Sequence, residues 1–275
     1  MTVKPERLGS NPFPPEFYAA FYRNAPASVL DTAGYSVLWK PHNMHCAPLA
    51  KSNGSGETLL DWYLRQPGIP AEAYAVKGRK PEEKGLLHRL DFATAGLVLL
   101  AKTQNAFDFL QRAQDAGRFR KGYLAFCDFY PQQAVFSSPL LPPEGGQGRQ
   151  TEEPFCIRSR FRTFGPGGRE VRPVFAWMHT RKACTGKEYE TEIRSRTFSA
   201  DGKYAAVRCF LRAGFRHQVR AHLAFCGFPI SGDPLYNPLA AAGEYLQLFA
   251  VSLEFPDPEG GTRYFSLPPQ DKTNR

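Results

Sequence analysis

The chain has 275 residues, 42% of them hydrophobic and 22% charged, enough for one large domain or two small ones with a sizeable core. Its apolar runs, such as Gly96 to Ala101, fall far short of the roughly 20 residues of a membrane helix. Residues 1–11 lack the apolar centre of a signal peptide, so a cytoplasmic protein without a membrane anchor is expected. The 35 basic and 26 acidic residues give a net charge of +9, concentrated between Pro143 and Arg220, where 16 Lys or Arg stand against 8 Asp or Glu. Such a basic middle suits a polyanionic partner, and it equally suits a merely solvated surface.

In chain order, residues 1–28 read as an extension rich in Pro and aromatics, and residues 29–275 as the main domain. Tyr35 to Trp39 is a short strand ending at Lys40-Pro41, and Thr58 to Leu64 is one or two helical turns. Leu97 to Ala101 is a buried strand by its continuous apolar run. Thr103 then caps a helix with Ala106, Phe107, Leu110 and Ala113 at helical spacing, stopped at Gly117. Phe119 to Phe126 alternates as a strand. Pro131 to Pro173, with its Pro-Pro and Gly-Gly pairs, reads as loops and short strands, although Arg158, Arg160 and Arg162 alternate as on one strand face. Lys187 to Ser195 and Tyr204 to Arg212 are strands. Arg216 to Cys226 is an amphipathic helix with Val219, Leu223 and Cys226 inward and Gly227 as its stop. Leu246 to Phe255 is a further strand. Many strands and few helices predict an α+β fold: a mostly antiparallel mixed sheet core with flanking helices and loops.

Cysteines stand at 46, 127, 156, 184, 209 and 226, with no C-x-x-C pair. They read as thiols rather than ligands. His222 and Cys226 could share a helix face, but a metal needs roughly three or four ligands, and no others cluster beside them. No metal site is expected.

The segment with the most chemical content is Leu87-His-Arg-Leu-Asp-Phe-Ala-Thr-Ala-Gly-Leu-Val-Leu-Leu-Ala-Lys102. It sets one carboxylate, Asp91, in a tight polar turn before an apolar strand, and a rigid strand behind a short turn holds a side chain still. His88 and Arg89 add positive charge that keeps a carboxylate ionised. By these residues alone the turn is also compatible with a plain surface ion pair.

This segment resembles the catalytic signature of the RluA-like RNA pseudouridine synthases, H-R-L-D-x-x-T-S-G-L-x-L-x-A-K, departing at Ala95, where the family usually has Ser. Other segments resemble the family in the same order: Val37-Leu-Trp-Lys-Pro41, Lys121-Gly-Tyr-Leu-Ala125, Gly214-Phe-Arg-His-Gln-Val-Arg-Ala-His-Leu223 and Pro229-Ile-Ser-Gly-Asp-Pro-Leu-Tyr236. Phe215-Arg216 replaces a usual Arg-Thr, and Phe249 stands where a His is common. Together these cover roughly Val29 to Pro256. The stretch before Val29 is too short for the extra RNA-binding domain that some members carry.

The resemblance implies a pseudouridine synthase fold and an isomerase acting on uridines of structured RNA, rRNA or tRNA. Asp91 would be the nucleophile, Tyr123 the active-site tyrosine and Arg220 the basic partner of the nucleophile. Isomerisation needs no redox step or energy source, so no cofactor is expected. A monomer is expected, with RNA as its partner. RNA contacts are assigned to His88, Arg89, Lys102, Lys121, Arg216, His217 and Gln218. Each has a plainer reading: Tyr123 as a core aromatic, Arg220 as a surface helix residue, His217 and Gln218 as helix caps rather than phosphate ligands, Lys102 and Lys121 as solvated charges. Thr94 would brace the Asp91 turn. Competing readings are an RNA-binding protein without activity and a glycoside or nucleoside hydrolase, which usually needs two carboxylates.

Overall fold

The computed structural model describes residues 24–49, 56–129, 154–178 and 184–267. Ten strands lie among them: β1 Ala27–Asp31, β2 Tyr35–Lys40, β3 Ala95–Ala101, β4 Arg120–Asp128, β5 Phe155–Phe164, β6 Glu170–Val174, β7 Tyr189–Phe198, β8 Tyr204–Leu211, β9 Leu248–Pro256 and β10 Thr262–Ser266. The α-helices among the described residues are α1 Leu59–Leu64, α2 Ala71–Ala75, α3 Gln104–Asp115 and α4 Gln218–Phe225. Sheets with few helices make this an α+β chain, mixed and mostly antiparallel as expected. No helix among the described residues is long and apolar enough to cross a membrane. The expected extension lies largely outside the described residues, but β1 already begins at Ala27, inside its boundary.

The described residues form two compact units, one of residues 24–121 and 249–267, the other of residues 122–248. In the first unit the strands run in the order β1-β2-β3-β9, with β10 on β9. The apolar run of β3 is buried on both faces, as a strand flanked on each side must be. It lies antiparallel to β2, from Tyr35 opposite Ala101 to Lys40 opposite Gly96. It lies parallel to β9, where Ala95 faces Phe249 and Gly96 faces Ala250. That approach demands glycine: Gly96 has φ +136°, and a Cβ there would sit 2.4 Å from the Ala250 nitrogen. Helix α3 starts as the sequence predicts, with Thr103 Oγ1 accepting the Ala106 N–H at 3.2 Å, and it buries Ala106, Phe107, Leu110 and Ala113. Thr58 and Asp61 form a capping box on α1.

The second unit orders its strands β4-β8-β7-β5-β6. Two expectations are corrected here. The stretch read as loops and short strands contains the ten-residue β5. Its alternation sends Ile157, Ser159 and Phe161 inward and leaves Cys156, Arg158 and Arg160 exposed. Pro and Gly beside it obscure that pattern in the sequence, and Pro173 sits in β6, an edge strand, where a missing N–H is tolerated. The second correction concerns α4. It is not amphipathic: all eight residues from Gln218 to Phe225 are buried, because β6 and β7 pack against it. It begins at Gln218, after a left-handed His217 with φ +55° and no side-chain cap. Phe161, Val171, Ala221, Ala224 and Tyr236 make the core around it.

Candidate active site

Asp91 is half-buried at the turn before β3. The Thr94 N–H donates to the Asp91 carbonyl at 3.1 Å and closes the turn through its main chain. Lys40, at the end of β2, and the loop that follows it grip Leu90, Phe92 and Ala93. Lys40, fully buried, donates from Nζ to the carbonyls of Pro41 (2.9 Å), Met44 (2.8 Å) and Phe92 (3.1 Å). Those bonds use all three of its donors. Burial brings its ammonium down to about 8, against the opposing pull of Cys46 and Asp91. His42 donates from Nδ1 to the Ala93 carbonyl at 2.7 Å. Cys46 Sγ accepts the Leu90 N–H at 3.2 Å and donates to the Leu90 carbonyl at 3.6 Å. The nucleophile candidate is thus fixed by its neighbours' main-chain groups on both sides. Sequence reasoning saw Lys40-Pro41 only as a strand end and missed His42 and Cys46, whose partners lie 51 and 44 residues away.

The positive charge expected beside Asp91 is partly corrected. His88 accepts the Leu99 N–H at its Nε2, 3.3 Å away, and burial holds its imidazolium down to about 3. It is neutral near pH 7, and its ring supports β3. Arg89 is exposed and paired through Nη1 with Glu83 at 2.9 Å. Lys102 and Lys121 are corrected as surface cations: each is 6% exposed, Lys102 paired with Asp31 at 3.1 Å and Lys121 brought down by burial to about 8. Two departures from the family pattern prove to be one. Ala95 and Phe249 are register partners across β3 and β9, both fully buried, and the ring of Phe249 meets His42 edge-on at 5.3 Å. An apolar pair stands where Ser and His are usual.

In the second unit, Tyr123 is buried in β4 at 8% exposure. Arg220 is buried as well, so it is not a surface helix residue. Asp233 grips it in a bidentate pair, Nε to Oδ2 at 2.8 Å and Nη2 to Oδ1 at 2.7 Å, geometry that fixes both position and plane of the guanidinium. Asp233 is held in turn by the N–H groups of Leu235 (3.0 Å) and Tyr236 (3.2 Å), and Arg220 lies 5.2 Å over the Tyr236 ring. Asp233 was present in Pro229-Ile-Ser-Gly-Asp and went unassigned. Its signal was Gly232, which has φ +71° and no room for a Cβ, since one would stand 2.2 Å from the Tyr245 carbonyl oxygen.

Gln218, assigned to RNA contact by the resemblance, lies buried at the start of α4. It is 2% exposed, its Nε2 donates to the Glu190 carbonyl and Thr191 Oγ1, and its Oε1 accepts the Phe215 N–H. His217 pairs through Nδ1 with the Tyr236 hydroxyl at 3.1 Å. Arg216 is exposed, but its Nη2 donates to the carbonyls of Gly168 and Glu170, bracing the turn between β5 and β6. Phe215 stacks on Phe161 at 5.0 Å, so this departure from the family pattern serves the core. His222 is fully buried, its Nε2 against Ser159 Oγ at 2.8 Å and its Nδ1 against Thr191 Oγ1 at 2.7 Å. Thr191 Oγ1 also accepts from Gln218 Nε2. Burial takes the His222 imidazolium down to about 3. Both nitrogens are thereby engaged by hydroxyls.

A family model described as RNA pseudouridylate synthase matches residues 34–225. The mitochondrial pseudouridylate synthase RPUSD4 of Xenopus tropicalis is 30% identical over 172 residues, covering 62% of this chain and 50% of that protein. RNA pseudouridine synthase 1 of Oryza sativa is 26% identical over 237 residues, covering 80% of this chain and 64% of that protein. The solved structure of human RNA pseudouridylate synthase domain containing 1 superposes with a TM-score of 0.58 at 18% identity, over 89% of this chain and 84% of that one. The chain spans only about a third to a half of the length of some curated relatives. With its H-R-L-D turn clamped before β3 and the match running through most of the described residues, the chain belongs to the RNA pseudouridylate synthase family.

Proposed function

We propose that this protein converts specific uridines of structured RNA, rRNA or tRNA, to pseudouridine in the cytoplasm, with Asp91 as nucleophile. The observation that carries the reading is the clamp on residues 90–93, which spends a buried lysine, a histidine and a thiol on holding one turn. A turn held that firmly keeps a carboxylate in one geometry, which nucleophilic chemistry requires.

In this mechanism the Asp91 carboxylate bonds to the anomeric carbon as the bond from ribose to uracil N1 breaks, and the electron pair leaves with the uracil. The ring turns, its C5 bonds to the anomeric carbon, and the carboxylate is released. The proton lost from C5 is balanced by the one gained at N1. No atom is added or removed and nothing is oxidised, so the reaction calls for no cofactor. The family resemblance gives Tyr123 the role of the active-site tyrosine and Arg220 that of the basic residue, which in this structure is held by Asp233. Flipping the uridine from its stack costs a few kcal/mol.

Incubation of the protein with total cellular RNA, followed by mapping of new pseudouridines, tests this reading and names the substrate. A discrete set of sites with wild type and none with Asp91→Asn is expected. Wild type that makes no pseudouridine, or an Asp91→Asn variant that makes the same set, would end it.

A further inference from the structure

Phe92 follows Asp91 directly and is 45% exposed. Scattered surface aromatics are ordinary, but this one has three unusual features. Its main chain is fixed, because its carbonyl accepts from buried Lys40 at 3.1 Å. Its ring meets that of His45, centroids 4.7 Å apart and planes inclined by 41°. His45 lies on the loop after β2 that supplies His42 and Cys46, so the ring pair belongs to the clamp. Burial and the neighbouring Lys40 both lower the pKa of His45, so its ring is chiefly an aromatic surface rather than a cation.

The proposed chemistry creates a need that this pair answers. A uridine swung out of its stack leaves the next base with one bare face, and that face is apolar. Phe92 is the chain neighbour of Asp91, and the bond from Lys40 to its carbonyl fixes its main chain beside the nucleophile candidate. Arg89 is tied to Glu83, and the other exposed large apolar side chains, such as Tyr74, Trp177 and Tyr264, are far from Asp91 in sequence. We infer that Phe92, backed by His45, is a stacking platform for the RNA base that flanks the target uridine. The inference rests on the proposed function and adds to it a substrate contact at a position outside the residues of the motif.

Two measurements separate this inference from the reading beneath it. In the first, Phe92→Trp in a Trp177→Phe background is titrated with a single-stranded uridine decamer and with the same decamer made abasic. Stacking predicts that only the base-bearing strand quenches the introduced indole; equal quenching, or none, overturns the platform whether or not the protein is an enzyme. In the second, kcat and KM are measured on a transcript carrying a mapped uridine, with its neighbouring base present or removed. Phe92→Leu is expected to lower kcat/KM roughly 5-fold to 100-fold, the span of base–aromatic stacking, while Phe92→Tyr restores it. With the neighbouring base removed, wild type falls to the level of Phe92→Leu and that variant falls no further. Equal rates for wild type and Phe92→Leu, or an undiminished effect on the abasic transcript, contradict the inference. Absence of pseudouridine in every arm defeats the proposed function alone and leaves the fluorescence result to decide the platform.

Discussion

The turn that carries Asp91 and the helix that carries Arg220 are immobilised in different ways. Around Asp91, side chains bind main chain: Lys40, His42 and Cys46 reach the peptide groups of Leu90, Phe92 and Ala93. Around Arg220, side chains bind side chains: Asp233 takes the guanidinium, while His222, Thr191, Ser159 and Gln218 form a buried network behind it. A carboxylate proposed to react gains from having its backbone fixed, since a fixed backbone narrows the positions its side chain can take. A buried guanidinium has no such choice, because a lone cation out of water is costly unless another charge is hydrogen-bonded to it.

The largest effect that could break this comparison is on activity. Asp91→Asn is expected to abolish pseudouridine formation while thermal stability and RNA binding stay near wild type. A collapse in melting temperature would show that the carboxylate also carries the turn.

Next in size is Asp233→Ala. It leaves Arg220 buried without its bidentate partner and should cost about 3–5 kcal/mol, the usual price of breaking a buried pair, read by urea denaturation. A loss under about 1 kcal/mol would place Arg220 in water like a surface residue. Lys40→Met strips donors from three carbonyls and should cost about 1–3 kcal/mol together with much of the activity. Unchanged kcat would mean that the clamp is not needed to aim Asp91.

A smaller and graded effect comes from His222. Its folded-state pKa, about 3, lies below the ordinary 6.5, so below pH 6.5 the unfolded chain takes up the proton first. The stability contributed by the neutral ring is complete above pH 6.5 and is lost as pH falls toward 3, by about 1.4 kcal/mol per pH unit. His88, similarly lowered, adds to the slope. Denaturation curves between pH 7 and pH 4 should be visibly flatter for His222→Gln; parallel curves would mean that the ring accepts a proton while folded.

The smallest effect is on the basic face of β5. Arg158 is paired with Glu190, and half-buried Arg162 lies 5.1 Å over Phe164, so exposed Arg160 is the arginine of the three without a side-chain partner among the described residues. Replacing all three should weaken RNA binding and flatten the slope of log Kd against log salt by roughly 0.7 to 0.9, one phosphate contact. Dissociation constants at three salt concentrations measure it, and an unchanged slope would take the RNA path away from β5.

Local chemistry was legible in the sequence wherever a few adjacent residues decide the outcome. The apolar run of β3, the cap at Thr103 and the turn at Asp91 each depend on near neighbours, and each stands where composition and spacing put it. The same residues carry the family resemblance, so the fold class followed from them too. Partners distant in the chain were decided only by the tertiary structure. Helical spacing made α4 look amphipathic, yet β6 and β7 cover it and turn its polar residues inward. His88, read as positive charge beside Asp91, is neutral because burial penalises the cation. Asp233 found Arg220 across 13 residues, Lys40 found Phe92 across 52, and Ser159 found His222 across 63. Periodicity reports which face of an element is apolar, whereas what meets that face, and which buried polar group must then be paired, depends on how the elements pack.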